Sequence, residues 1–362
     1  MIPYWFLFGL CALFGFIEQG PNADRRPAPI PLAAVGTLLI LMIGLRYEVG
    51  GDWRVYDEML FRTAYMTLGH ALSQGDPGYH LVNWLASRLG LGIWGVNLFC
   101  GVAFTAGLIA FSRTLPLPWL AILVAVPYLI IVVAMGYSRQ GVAIGFGMLG
   151  LAALQRGSVA RFVVWVAVAA AFHKTAVVLL PFALLMSPRN RLVTVVALAL
   201  MGAALYFVFL DGALDQLVSV YLEQEYDSQG ALIRVLMNVV PATIFLVMQR
   251  RFMLPPPLLR LWRNFAIAAL ACLPALFLLN STTVVDRIAL YLIPLQLFVL
   301  GSLPKAWSRE GQSHRPIQFA ITLYSAAILF VWLNYATHAV YWLPYQAFPF
   351  VEEDNVSEPP EL

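Results

Sequence analysis

Four short stretches of this chain gather side chains suited to a charged, hydroxyl-bearing substrate. The densest runs from Arg46 to Tyr56 and holds Glu48, Asp52 and Arg54 around Gly50 and Gly51. Adjacent glycines permit a tight turn and let backbone come close to a ligand. A carboxylate on such a turn, Asp52, has the chemistry of a general base for a hydroxyl proton. In Tyr137-Ser138-Arg139-Gln140 the arginine has no acidic neighbour in sequence, and a planar, always-charged guanidinium suits bidentate capture of phosphate oxygens. Phe172-His173-Lys174 places a proton-shuttling imidazole next to a second cation. Asp286-Arg287, followed by Tyr291, offers an adjacent acid and base. Such a pair either contacts ligand directly or holds helices in register through partners across the bundle, Arg46 and Asp52 among them.

These residues sit in a chain that is mostly hydrocarbon. Of 362 residues, 61% are hydrophobic and 11% charged, a balance that one water-soluble globule does not accommodate. Backbone groups in lipid must be satisfied within each segment, so the apolar runs predict an all-α, polytopic membrane protein. Ten crossings are expected, at 3–17, 31–45, 92–112, 117–135, 140–155, 192–210, 234–249, 264–280, 288–303 and 317–336. Residues 161–186 depart from the pattern: His173 and Lys174 leave about a dozen apolar residues on each side, short of the roughly 20 that a crossing needs. That stretch reads as a short re-entrant helical hairpin with His173 and Lys174 at its tip. Arg25, Arg26, Arg113, Arg156, Arg161, Arg189, Arg191, Arg250, Arg251, Arg260, Arg263, Lys305, Arg309 and Arg315 then fall on one side, the cytoplasm. The four stretches and nearly every acidic residue fall outside. One transmembrane domain, 1–336, is expected with outer loops 46–91 and 211–233, ahead of an acidic, aromatic outer tail at 337–362.

Several function classes drop out. The formal charge of +3 is scattered over short loops, a topology signal that implies no nucleic-acid partner. Cys11, Cys100 and Cys272 lie far apart in apolar runs without metal or redox spacing and read as buried small hydrophobes. The first apolar run lacks a basic leader and reads as a retained span. Pro255, Pro256 and Pro257 read as a stiff linker. No internal repeat is visible, which weakens a transporter of duplicated halves.

An outward site with several cations and isolated carboxylates, but no metal-ligand spacing, points to a lipid-linked, phosphate-bearing donor. The series R-Y-x-V-G-x-D-W-x-x-Y at Arg46 to Tyr56, D-P-G-Y-x-L-x-N at Asp76 to Asn83, S-R-Q at Ser138 to Gln140, F-H-K-T-A at Phe172 to Ala176 and D-R-x-x-x-Y at Asp286 to Tyr291 resembles the EpsG family. The resemblance runs from about residue 30 to the W-x-P-Y at Trp342 to Tyr345. One departure is Asp76, where an acid of either length serves. These are bacterial exopolysaccharide polymerases, similar in role to Wzy-type polymerases, and the architecture implied resembles that of GT-C-type membrane glycosyltransferases. The resemblance implies transfer of a glycan from undecaprenyl diphosphate to the non-reducing end of another lipid-linked repeat unit, at the outer face of the inner membrane. Chain-length regulators and export proteins are its expected partners, besides lipid. On this reading Arg46, Tyr56, Arg139, Gln140, Lys174, Asp286 and Arg287 bind diphosphate and glycan, and the cations do the work that a metal does elsewhere, with no cofactor. Asp52 is the general base, with His173 competing for that role. A lipid-linked-oligosaccharide flippase and a glycosyltransferase adding a single sugar are the rival readings.

Reporter fusions at Gly157 and Pro188 are both expected to read as cytoplasmic; an outside signal at either removes the hairpin.

Overall fold

The computed structural model describes residues 1–18, 29–185, 230–279, 282–308, 313–348 and 350. Among them there are no strands, and one isolated bridge joins Arg46 to Ala347. The helices are α1 (Ile2–Ile17), α2 (Pro29–Gly44), α3 (Trp53–Ala64), α4 (Leu68–Leu72), α5 (Pro77–Arg88), α6 (Gly92–Ser112), α7 (Pro118–Ala125), α8 (Ser138–Gln155), α9 (Val159–Phe172), α10 (Leu180–Leu185), α11 (Ala231–Met248), α12 (Pro256–Leu278), α13 (Thr282–Leu290), α14 (Ile293–Trp307) and α15 (Arg315–Tyr335).

Gly92–Ser112, Ala231–Phe252, Pro256–Leu278 and Arg315–Tyr335 are each long and apolar enough to cross a bilayer. The pair α13 and α14, bent by 45°, adds a fifth crossing if it counts as one broken span. The chain is thus a multi-pass membrane protein. By length and composition the described helices supply four or five crossings, short of the ten expected. The other expected spans fall on shorter apolar helices, on α8 with its polar first turn, or, for 192–210, outside the described residues.

The core is a hairpin buried on all sides. Every residue from Pro118 to Met135 is buried, through α7 and the π-helix Val126–Ala134 that continues it, and α8 returns from the turn at Gly136 and Tyr137. A helix apolar around its whole circumference belongs in such a centre. Trp342 plugs the turn: its Nε1 donates to the Ile131 carbonyl at 2.7 Å, while the Tyr4 hydroxyl donates to the Trp342 carbonyl at 2.8 Å. The Tyr345 hydroxyl reaches the Met42 carbonyl at 2.9 Å, so 337–348 closes over this end of the bundle.

The stretch carrying His173 is irregular, as its charges require. Helix α9 stops where His173 becomes extended (φ −156°, ψ 113°), and a 3₁₀ segment, Lys174–Leu179, leads into α10. Leu179 packs over Gly147, next to Phe146, whose ring stacks on Trp165 of α9. The chain has therefore turned back at His173. Its course beyond Leu185 lies outside the described residues.

Helices α6 and α8 touch backbone to backbone at Gly145. A Cβ there would stand 2.5 Å from the Phe104 Cα and 2.9 Å from the Ala103 carbonyl oxygen. Gly145→Leu is expected to destabilise by about 1–3 kcal/mol, the usual range for overpacking, and to lower the thermal midpoint in detergent. Phe277→Leu, at a side chain 74% exposed, should leave it unchanged. Equal midpoints for wild type and Gly145→Leu would contradict the crossing.

Candidate active site

The site is built from the loop that follows α2. Arg46 is 1% exposed. Its Nε donates to the Val49 carbonyl at 3.1 Å, one terminal nitrogen donates to the Ile43 carbonyl, and the other donates to Ser138 Oγ at 2.6 Å. The guanidinium carbon stands 5.6 Å from the centre of the Trp53 ring. Arg46 thus clamps its own loop to the first turn of α8. Gly50 makes that approach possible. Its φ is 109°, in the region that glycine tolerates, and a Cβ would stand 2.7 Å from the Met135 carbonyl oxygen.

With the loop fixed, α3 starts at Asp52. The Tyr56 hydroxyl, one turn on, lies 3.5 Å from Asp52 Oδ2. The Tyr56 ring packs on Tyr79 of α5 and sits 5.9 Å from the Arg139 guanidinium carbon. Arg139 Nη1 donates to Asp76 Oδ2 at 2.7 Å. Asp76, 7% exposed, precedes α5. The anion that Arg139 lacks in sequence is thus supplied by the chain, 63 residues away. The Lys174 ammonium is exposed and lies against Gly75, 3.9 Å from where a Cβ would stand.

A second group comes from α13. The Gln140 amide nitrogen donates to the Arg287 carbonyl at 2.9 Å, which ties α8 to α13, and the Arg287 side chain is exposed. Asp286 pairs with Arg234 of α11, Nε to Oδ1 at 2.5 Å and Nη2 to Oδ2 at 2.9 Å. Tyr291, at the break after α13, brings its hydroxyl 3.2 Å from His173 Nδ1, and Thr175 Oγ1 lies 2.5 Å from the same nitrogen. Nδ1 so held leaves the opposite ring nitrogen to act.

Burial raises the carboxyl of Asp52 above its ordinary range, while Arg139, Arg287 and the Tyr56 hydroxyl pull it down. Burial likewise raises Asp76, against the pull of Arg139 and Lys174. Asp52 and His173 lie within the field of the same two arginines, Arg139 and Arg287.

Every residue marked in the sequence thus comes to one end of the bundle, with differences of role. Arg46 is enclosed, its donors turned to the protein itself. Gln140 uses its amide on backbone. Asp286 takes Arg234 as its partner across the bundle, and not Arg46. Sequence reading gave no site role to Asp76, Arg234 or Thr175, although Asp76 and Thr175 stand inside the short motifs. Arg234 carried a signal, a charge opening an apolar run; Asp76 carried its turn-forming Pro-Gly neighbours and its place at the head of a motif, neither of which names Arg139 as its partner.

Arg46→Lys should cost roughly 1.5–3 kcal/mol, the scale of charged hydrogen bonds, because one ammonium does not span the Val49, Ile43 and Ser138 acceptors together. Arg287→Ala, at an exposed side chain, should leave the thermal midpoint within experimental error of wild type. The reverse order of the two midpoints would contradict this division.

Residues 30–347 match the EpsG family, a stretch that includes every residue of the cluster. No curated protein and no solved structure matches the chain. Family membership points to a membrane polysaccharide polymerase, a glycosyltransferase-type activity on a lipid-linked oligosaccharide. With the match covering most of its length, the chain belongs to the EpsG family.

Proposed function

We propose that the chain polymerises exopolysaccharide at the outer face of the bacterial inner membrane, joining repeat units carried on undecaprenyl diphosphate. The observation that carries this reading is the convergence of separate segments on Asp52: its Oδ2 lies 3.5 Å from the Tyr56 hydroxyl, the Tyr56 ring sits 5.9 Å from the Arg139 guanidinium carbon, and the carboxylate lies within the field of Arg139 and Arg287. In the step proposed, the acceptor hydroxyl oxygen bonds to the anomeric carbon of the donor glycan. The carbon–oxygen bond to the diphosphate breaks, and the diphosphate departs with the bonding electrons. Asp52 receives the hydroxyl proton. Arg287 and Lys174, both exposed, neutralise the leaving group together with Arg139; preorganised donors act on developing charge in this way. His173 lies within the field of the same arginines and stands as the competing base. Arg46, Gln140 and Asp286 act through other groups: they position the loop, the α8–α13 junction and Arg234. The single transmembrane domain 1–336, with its outer loops and tail, the ten-span topology and the GT-C-type likeness belong to this same reading.

The test is purified protein given one lipid-linked repeat unit, with products resolved by size. A ladder is expected. One addition supports the single-sugar transferase, and no product removes both transferase readings. Asp52→Asn should lower turnover about 10²–10⁴-fold, the usual share of a general base, in protein that melts like wild type; an unaltered ladder would remove Asp52 from the mechanism.

A base works when deprotonated, so a raised Asp52 carboxyl moves the rising limb of activity above the ordinary aspartate range near about 4. Arg287 holds that carboxyl down, so Arg287→Gln should shift the limb to still higher pH. A shift to lower pH would contradict the assignment.

A further inference from the structure

A cavity of about 630 Å³ lies between α11 and α15. Helix α11 faces it with Ile233, Leu236, Met237 and Val240, spaced by three and four residues as one helical stripe. Helix α15 faces it with Ala327, Ile328, Val331 and Trp332, and Tyr128 and Val132 of the π-helix form the floor. The helices run in opposite directions: Arg234, in the first turn of α11, pairs with Asp286 at the polar end, and Tyr335, the last residue of α15, leads into 337–348, which closes over that same end, so Val240 and Tyr324 lie farther from it. From Tyr324 to Tyr335 a helix rises roughly 16 Å, about half of a hydrocarbon core of about 30 Å. The trough thus extends from mid-bilayer to the polar end of the bundle. Ile233 is 62% exposed and Val331 50%, so its flanks are open among the described residues.

Its upper end is polar. Tyr137 and Arg234 line it there. Arg234 is paired with Asp286, the neighbour of Arg287, and Tyr137 lies within the field of Asp52 and Arg287. An apolar trough half a bilayer long, ending at cations beside a carboxylate, complements a single hydrocarbon chain with an anionic head.

We infer that this trough seats the polyprenyl chain of the donor and delivers its diphosphate to Arg287. The inference rests on the transfer reading above and adds where the donor enters: sideways from the outer leaflet, between α11 and α15. A bilayer phospholipid is the poorer occupant, since its headgroup would lie where the leaving group must.

The experiment uses the full chain in nanodiscs of phosphatidylethanolamine and phosphatidylglycerol. The probe is a polyprenyl diphosphate with a diazirine in an isoprene unit near the head, and labelled peptides are mapped after illumination. Label is expected on 230–240 and 324–335, displaced by unlabelled polyprenyl diphosphate and not by added phosphatidylglycerol. Ala327→Trp and, separately, Val331→Trp should each reduce it at least tenfold in protein that melts like wild type. Label elsewhere, or equal displacement by phosphatidylglycerol, overturns the inference. So does a photoreactive residue at Ile328 that cross-links only to 192–210, since the chain itself would then fill the trough. Labelling requires no transfer, so the two readings fail separately. A labelled trough without polymer sinks the polymerase reading alone, and a ladder from protein whose trough stays unlabelled sinks this one alone.

Discussion

A guanidinium enclosed in protein at the edge of hydrocarbon must have its hydrogens matched, because an unpaired buried charge costs several kcal/mol. Arg46 meets that demand with the Ile43 and Val49 carbonyls and Ser138 Oγ, drawn from α2, its own loop and α8. The rest of the polar end depends on this requirement. Satisfying Arg46 pins the 46–51 loop to the central hairpin, and the pinned loop fixes where α3 begins. That in turn sets Asp52 beside Tyr56 and Tyr56 beneath Arg139.

The cations of this end then divide by partner. Arg139 and Arg234 are held by Asp76 and Asp286 in pairs that join α8 to the α4–α5 connection and α11 to α13. These pairs fix geometry across segments that share no backbone. Arg287 and Lys174 have exposed side chains on backbone that is itself tied down, through the Gln140 amide in one case and the His173 turn in the other. Fixed pairs beside exposed cations give a surface already organised for an anion, which is what an electrostatic mechanism needs.

Much of this was legible in the sequence, unevenly. Apolar runs gave helices close to their observed places because periodicity and length are local properties: 92–112 is α6, and 317–336 is nearly α15. The break at His173 was legible because two ionisable groups in an apolar stretch are costly. Clustering of the short motifs at one end followed from topology. Partners were not legible. Nothing local in Arg139 names Asp76, 63 positions away, or in Asp286 names Arg234, 52 away, and solitary charges look alike until the fold supplies their counter-ions. Arg46 shows the limit most clearly: the same arginine chemistry serves a phosphate or a set of carbonyls, and only burial separates the two. The number of crossings was harder still, since α1, α2 and α9 are shorter than a simple span.

The account places a lipid diphosphate among Arg139, Lys174 and Arg287, with the sugar it carries facing Asp52. The most direct measurement is an experimental structure of the protein in lipid with a non-transferable diphosphate analogue, in which the phosphorus–carbon link to the sugar does not break. Density for the diphosphate is expected between Arg287 and Arg139, within hydrogen-bond reach of both. Density at the opposite end of the bundle, beside Arg250 and Arg251, would contradict the account.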